Sequence, residues 1–429
     1  MYRFIANFAL KQMKVMKKIA QFISMLGPGL LWAGAAVGVS HLVQSTRAGA
    51  NYGFYLIPVL IIANAMKYPF FEFAPRYAAG TGNNLIEGYR KIGKWAILLY
   101  ILLTLGTMFT IISAVTIVTA GISSSIFHLN INPVYLSGII MLISSLILIL
   151  GKYSLLDNVV KYIIIALAIA TLIAVISALN LGYNPNPEYT HIFSWSKPVD
   201  LLFLFAFVGW MPAPLDVSIW HSFWSKEKKQ HLGNKLKTAL LDFNIGYFGT
   251  AILAIFFLSL GAILMYGKPD EFSSNGTEFA NQLIGLYTNS IGRWAFPVIA
   301  IAALATMLST TITCIDAYPR VLQPSIQQLF DSTKKSNSKS YLIWMLILIS
   351  GSLVMLLYFS KNMAFMVDLA TTISVITAPV LAILNYKVIF HKHVPAEVKP
   401  KKWLGIYSIA SIILLLILSA SYIAYKVIN

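Results

Sequence analysis

The sequence predicts an all-α polytopic membrane protein of eleven transmembrane helices, two inverted repeats of five plus one extra C-terminal helix. Three observations predict it. Apolar residues gather in eleven runs. Basic residues crowd onto alternate loops. The first and sixth runs, five apart, are both interrupted.

Of the 429 residues, 58% are hydrophobic and 11% charged, and the mean hydropathy is +0.74. Soluble domains carry about a quarter charged residues, so no cytosolic domain of useful size is expected. The runs cover residues 27–49, 53–76, 95–127, 134–151, 159–181, 199–222, 239–266, 292–314, 340–359, 363–386 and 404–425. They are of the length, roughly 20 residues, that a helix needs to cross hydrocarbon. Residues 1–24 carry Arg3, Lys11, Lys14, Lys17 and Lys18 without a small-residue cleavage site, and read as a retained basic leader.

With the N-terminus placed inside, 25 Lys and Arg fall on the inner face and five on the outer. Basic residues flanking spans stay cytoplasmic. The expected topology is therefore a multi-pass protein of the cell membrane, N-terminus in and C-terminus out. The same distribution accounts for the net charge of +17 without a nucleic-acid partner. The single cysteine, Cys314, makes no internal disulfide.

Two interrupted segments in corresponding positions are the mark of an inverted repeat. Five helices is an odd number, so a second copy enters from the other side. This divides the chain into a first repeat over residues 25–181, a second over 199–386, and segment 11 over 404–425.

Segment 6 reads LLFLFAFVGWMPAPLDVSIWHS. Pro212 and Pro214 each lack an N–H and clash with the carbonyl four residues back. The carbonyls of Val208 and Trp210 thus lose their helical partners. In hydrocarbon such groups must be met by protein, water or a cation. Met211 adds a thioether and Asp216 a carboxylate, and an acid inside a span marks function by default. The plainer alternative is a proline kink with Asp216 capping the second half-helix.

Segment 1 holds AAVGVSHLVQSTRAGA. Gly34 and Gly38 permit close helix approach. Beyond Gly38 come Ser40, His41, Gln44, Ser45, Thr46 and Arg47. Either the chain unwinds at Gly38, or a continuous helix ends at the interface. His41 offers imidazole to a metal, or is satisfied by a backbone carbonyl. Arg47 needs a carboxylate partner, with Glu72, Asp242, Asp316 and Asp368 as candidates, or else faces an anionic substrate. The hydroxyl stripes of segment 3 (Thr104, Thr107, Thr110, Ser113, Thr116, Thr119) and of segment 8 suit helix packing, with hydroxyls on i−4 carbonyls. No phosphate-binding glycine loop, zinc-protease motif or nucleophile elbow is present, so no enzyme and no cofactor are expected.

GPGLLWAGAAVGVSHLVQSTRAGANYGF resembles the first span of the Nramp divalent-metal transporters. ALATMLSTTITCIDAYPRVL is similar to that family's eighth span, DFNIGYF to its seventh, and Met211-Pro212 to the start of its Met-Pro-His motif. The resemblance implies the inverted-repeat fold typified by the bacterial leucine transporter, and a divalent cation moved by alternating access. It also places a site at Gly38, His41, Val208 and Met211, to which the intramembrane acid Asp216 is added by its own chemistry, with Arg47 and Asp368 as pathway or charge partners. The departures are specific. Gly38-Val39-Ser40-His41 stands where the family has Asp-Pro-Gly-Asn, and Ala213 replaces the His of Met-Pro-His. Segment 3 has no acid from Trp95 to Phe127, and segment 9 has no Arg. Altered selectivity follows, and the family's proton-coupling carboxylates and their partners lack counterparts here. The alternatives are an organic substrate such as an amino acid or amine, or a scaffold that does not transport.

Overall fold

A computed structural model of the chain describes residues 27–151, 153–232, 236–269, 272–331, 338–359 and 362–428. The basic leader lies outside the described residues. Each of the eleven apolar runs is helical. In chain order the helices are α1 (Pro28–Ala36), α2 (Thr46–Tyr52), α3 (Ile57–Thr81), α4 (Leu85–Ile92), α5 (Lys94–Phe127), α6 (Pro133–Ile149), α7 (Tyr153–Asn180) and α8 (Pro198–Trp210). They continue with α9 (Asp216–Leu232), α10 (Leu236–Leu264), α11 (Gly276–Ile291), α12 (Phe296–Leu329), α13 (Ser338–Phe359), α14 (Met363–Ile389) and α15 (Lys402–Ile428). Seven of them (α3, α5, α10, α12, α13, α14 and α15) are long and apolar enough to cross a membrane unaided. Segments 1 and 6 are each two helices.

Chain punctuation explains the boundaries. Proline stands in the opening turn of α1, α6 and α8, where a missing N–H costs nothing. Asn84, Asn132, Asn275 and Asn362 accept main-chain N–H groups as caps. Asn275, part of a glycosylation-like triplet, thus caps α11. The hydropathy reading passed over α4 and α11 because both are amphipathic rather than apolar. It also ended segment 8 too early. Helix α12 runs on through Asp316 and Arg320 because the two pair across one turn, Arg320 Nε to Asp316 Oδ2 at 2.9 Å.

Segment 10 of the chain, α14, packs on α5 and α8, while α10 packs on both halves of segment 1. Glycines let α10 come this close. A Cβ at Gly49 would lie 1.9 Å from the Leu258 carbonyl oxygen, and one at Gly261 would lie 2.1 Å from that of Thr46. At the other half, a Cβ at Gly29 would lie 2.2 Å from the Asp242 carbonyl oxygen. Asp242 also accepts the N–H groups of Gly27 and Gly29 at 3.0 and 2.8 Å, fixing the start of α1. Helix α10 is therefore the strut that holds a broken helix in place.

Candidate functional site

Segment 6 breaks where its prolines fall. Helix α8 stops at Trp210, α9 starts at Asp216, and Met211 between them is extended. Of the two carbonyls that the prolines free, that of Val208 is met by a side chain from another helix, and, among the described residues, that of Trp210 is not. Lys67, on α3 and 141 residues away in sequence, donates from Nζ to the Val208 oxygen at 2.7 Å. It also donates to Gly209 O at 2.7 Å and Ala213 O at 3.3 Å. Its side chain is fully buried. An ammonium has three protons to donate, and three carbonyls receive them. Among the described residues its ammonium has no carboxylate within ion-pair distance. The backbone of the break alone solvates the charge. Of the partners open to such a carbonyl (protein, water or a cation), the fold supplies Val208 with a protein group that is itself a cation.

Segment 1 is broken too. Helix α1 ends at Ala36, Val37 and Gly38 are bent, and Ser40–Ser45 form a π-helical turn before α2. This decides between the two alternatives for Gly38. A Cβ there would meet Thr310 Oγ1 of α12 at 2.9 Å, so glycine serves the close approach of α12. Ser40 Oγ donates to Ala36 O at 2.7 Å and lies 2.7 Å from His41 Nδ1. His41 Nε2 lies 3.0 Å from the Thr250 carbonyl of α10. A carbonyl only accepts, so Nε2 carries a proton, and Nδ1 and the Ala36 oxygen share the single proton of the Ser40 hydroxyl. His41 points to α10 rather than to segment 6, as a histidine satisfied by backbone would.

Asp216 opens α9 and is 1% exposed. Neither carboxylate oxygen meets a hydrogen-bond partner. Tyr89, Tyr100, Cys314 and Tyr318 lie within its electrostatic reach. Those side chains come from α4, α5 and α12, toward the end of the bundle that bears the basic loops. Asp216 is the first residue of the helix past the break, and its neighbours Pro214 and Val217 line the cavity between the two breaks. Met211 is fully buried at the break itself. Among the described residues no side-chain hydrogen bond joins His41, Met211 and Asp216. Nor do three or more His, Cys, Asp or Glu converge anywhere among them.

Between the two breaks lies a cavity of about 30 Å³, lined by Ser40, Trp210, Pro214, Trp220, Thr310 and Cys314. That is room for a water or an ion, far below the several hundred Å³ of an organic ligand pocket. At the opposite end from the basic loops, Arg47 meets Asp368 of α14 at 2.9 Å. Gln44 donates to the same carboxylate at 3.1 Å, and the guanidinium lies 5.4 Å from the Phe203 ring centre. Of the four acids open to Arg47 in the sequence, the fold selects Asp368. The latch joins segments 1, 6 and 10 and is partly solvated. Asp368→Asn should weaken it by up to about 1 kcal/mol, which raises transient opening roughly fivefold. Native Cys314 lines the cavity and is the protein's single thiol, so a water-soluble maleimide reads the effect. Equal labelling rates in variant and wild type would show that the latch does not hold this end shut.

The segment 3 stripe is packing. Thr107, Thr110, Thr116 and Thr119 bond to carbonyls three or four residues back, and Thr119 meets Thr311 of α12 at 3.0 Å. The group at the break that the residue pattern did not assign there is Lys67. Its one signal in the sequence is a lysine in the middle of an apolar run, IPVLIIANAMKYPFFEF.

Residues 29–425 match the family model described as natural resistance-associated macrophage protein-like, Nramp. The chain belongs to the Nramp family. It is a membrane transporter of that family and not an enzyme. The Nramp chain is 38% identical over 369 residues to an uncharacterized protein of Pasteurella multocida, covering 85% of this chain and 84% of that one. It is 25% identical to the divalent metal cation transporter MntH of Staphylococcus saprophyticus, covering 93% and 91%. Its fold superposes on a crystal structure of the Eremococcus coleocola manganese transporter with an aromatic bis-isothiourea compound. The TM-score is 0.67 at 14% identity, covering 93% of this chain and 85% of the other. The Nramp chain thus has the helical architecture expected from its two broken segments.

Proposed function

We propose that this protein carries a divalent metal cation across the cell membrane by alternating access. One observation carries the proposal. Three backbone carbonyls at a proline break converge, at the level of a second break, on a single positive group. Carbonyl oxygens, the Met211 thioether and the Asp216 carboxylate make a mixed donor set suited to a transition-metal cation. Val208 and Met211 belong to the seat at the break, and Asp216 is a second stop nearer the basic end. Gly38 lies at the bend of the first segment, while His41 holds that bend to α10. Arg47 and Asp368 close the outer end, on the topology with the N-terminus in the cytoplasm and the C-terminus outside. A relative named as a divalent metal cation transporter supports the cargo class. With no imidazole at the seat and one carboxylate just past it, selectivity departs from that of a site with two charged ligands. Segment 3 has no acid to carry a proton, so transport runs without proton coupling.

The organic-substrate alternative requires a roomy pocket facing Arg47. The cavity between the breaks is about 30 Å³, Arg47 is paired with Asp368, and Arg47 does not line the larger pocket of about 480 Å³ beside Tyr52 and Asp200, which favours an ion. The test is uptake into proteoliposomes against a panel of divalent ions and amino acids, with and without a pH gradient. Divalent uptake indifferent to the pH gradient is expected. Saturable amino-acid uptake without metal uptake would overturn the proposal.

A further inference from the structure

We propose that Lys67 is a tethered stand-in for the transported cation: its ammonium fills the segment 6 seat whenever the cargo is absent, so that the empty carrier can close and return. This rests on the transport reading above and names the residue that decides which carrier states interconvert. A carrier that moves cargo net, without counter-cargo, must cross back empty. An empty seat at a proline break is costly, because each buried carbonyl left unmet loses about 1–3 kcal/mol. Here the carbonyls of Val208, Gly209 and Ala213 are all met by Lys67 Nζ, at 2.7, 2.7 and 3.3 Å, and without it Val208 would keep only the Met211 N–H at 3.3 Å. The donor is on α3, outside both broken segments, so cargo can displace it without unmaking either break.

The ammonium also competes with the cargo. A tethered group acts at an effective concentration of millimolar or more. If it holds the seat nine-tenths of the time, the apparent affinity for cargo falls about tenfold. Removing the charge should therefore tighten binding and slow the empty return together. A lysine that serves packing alone would do neither.

The experiment compares wild type with Lys67→Met in proteoliposomes, using radioactive Mn²⁺. One assay reads exchange with unlabelled Mn²⁺ on both sides. The other reads net uptake into Mn²⁺-free vesicles. Mn²⁺ affinity of the purified proteins is read by calorimetry. Wild type is expected to support both fluxes. Lys67→Met is expected to keep exchange, lose about tenfold or more of net uptake, and bind Mn²⁺ about tenfold tighter. Should the Met variant not elute as a single folded species, Lys67→Gln, which keeps a polar amide, takes its place in all three measurements. An unchanged ratio of net uptake to exchange, or an unchanged Mn²⁺ affinity, overturns the role given to Lys67 while leaving the transport reading intact. Absence of any divalent flux in wild type overturns the transport reading itself, and the role of Lys67 with it.

Discussion

Asp216→Asn is expected to cut divalent-ion uptake by at least about a hundredfold, which is about 2.7 kcal/mol, while leaving the protein no less stable. The two effects have separate causes. The carboxylate opens the helix that follows the break of segment 6, and a unit charge pair at 4 Å is worth about 4 kcal/mol near a protein surface. A doubly charged ion passing Asp216 feels twice that, so loss of the charge is felt in full on the path. Stability is another matter. Both Asp216 oxygens are buried without a hydrogen-bond partner, and a buried charge in that condition costs the fold rather than supports it. Asparagine keeps the shape and a cap-competent side chain at the start of α9. Uptake in proteoliposomes and a thermal melt of the same preparation check both halves. Undiminished uptake would remove Asp216 from the path. A melt lowered by several degrees would mean that the carboxylate is structural.

Gly261→Ala should be among the most damaging single changes in the chain, at about 3 kcal/mol or more. The added Cβ would lie 2.1 Å from the Thr46 oxygen and 2.9 Å from the Ala50 nitrogen. Both are backbone atoms of segment 1, so no side chain can move aside. Either α10 shifts or α2 does, and each movement opens the junction that presents His41 to Thr250. Gly249 on the same helix is the control, because a Cβ there meets nothing within 4 Å. Gly249→Ala should be neutral or stabilising by up to about 1 kcal/mol, since alanine is the better helix former. A melting temperature lowered by Gly261→Ala and not by Gly249→Ala supports the close crossing. Equal melts would mean that α10 and α2 stand further apart.

The relation between Val208 and Lys67 shows how far the sequence reaches. Pro212 removes the helical partner of the Val208 carbonyl by covalent geometry alone, so the orphan oxygen and its need for a donor are readable at once. The donor is not. Lys67 lies on another helix, and whether its ammonium reaches the break depends on the rotation and crossing of α3. Arg47 repeats the case. Hydrocarbon demands an acid beside it, four acids qualified, and the placing of α14 chose Asp368.

His41 and Asp216 mark the other boundary. Both are polar residues near breaks, and the sequence could only put each at a distance along its own helix. Five residues past Met211 is about 500° of helix, roughly 140° off its face. The break turned Asp216 toward Tyr100 and Tyr318 rather than back to Met211. Helices α4 and α11 were invisible for a simpler reason: their apolar residues cover one face and do not raise the mean hydropathy.

By itself the sequence determined the helical class, the order of the apolar segments, the face that carries the basic loops and the position of the segment 6 break. These depend on transfer of side chains into hydrocarbon and on proline's missing N–H, which act locally. It left the bend at Gly38 open, and the tertiary structure decided it. Only the tertiary structure also decided that the seat at the break is held by Lys67, that Arg47 is spent on Asp368, and that His41 serves α10. A buried polar group has to be paired, but its partner is set by how distant helices rotate and cross.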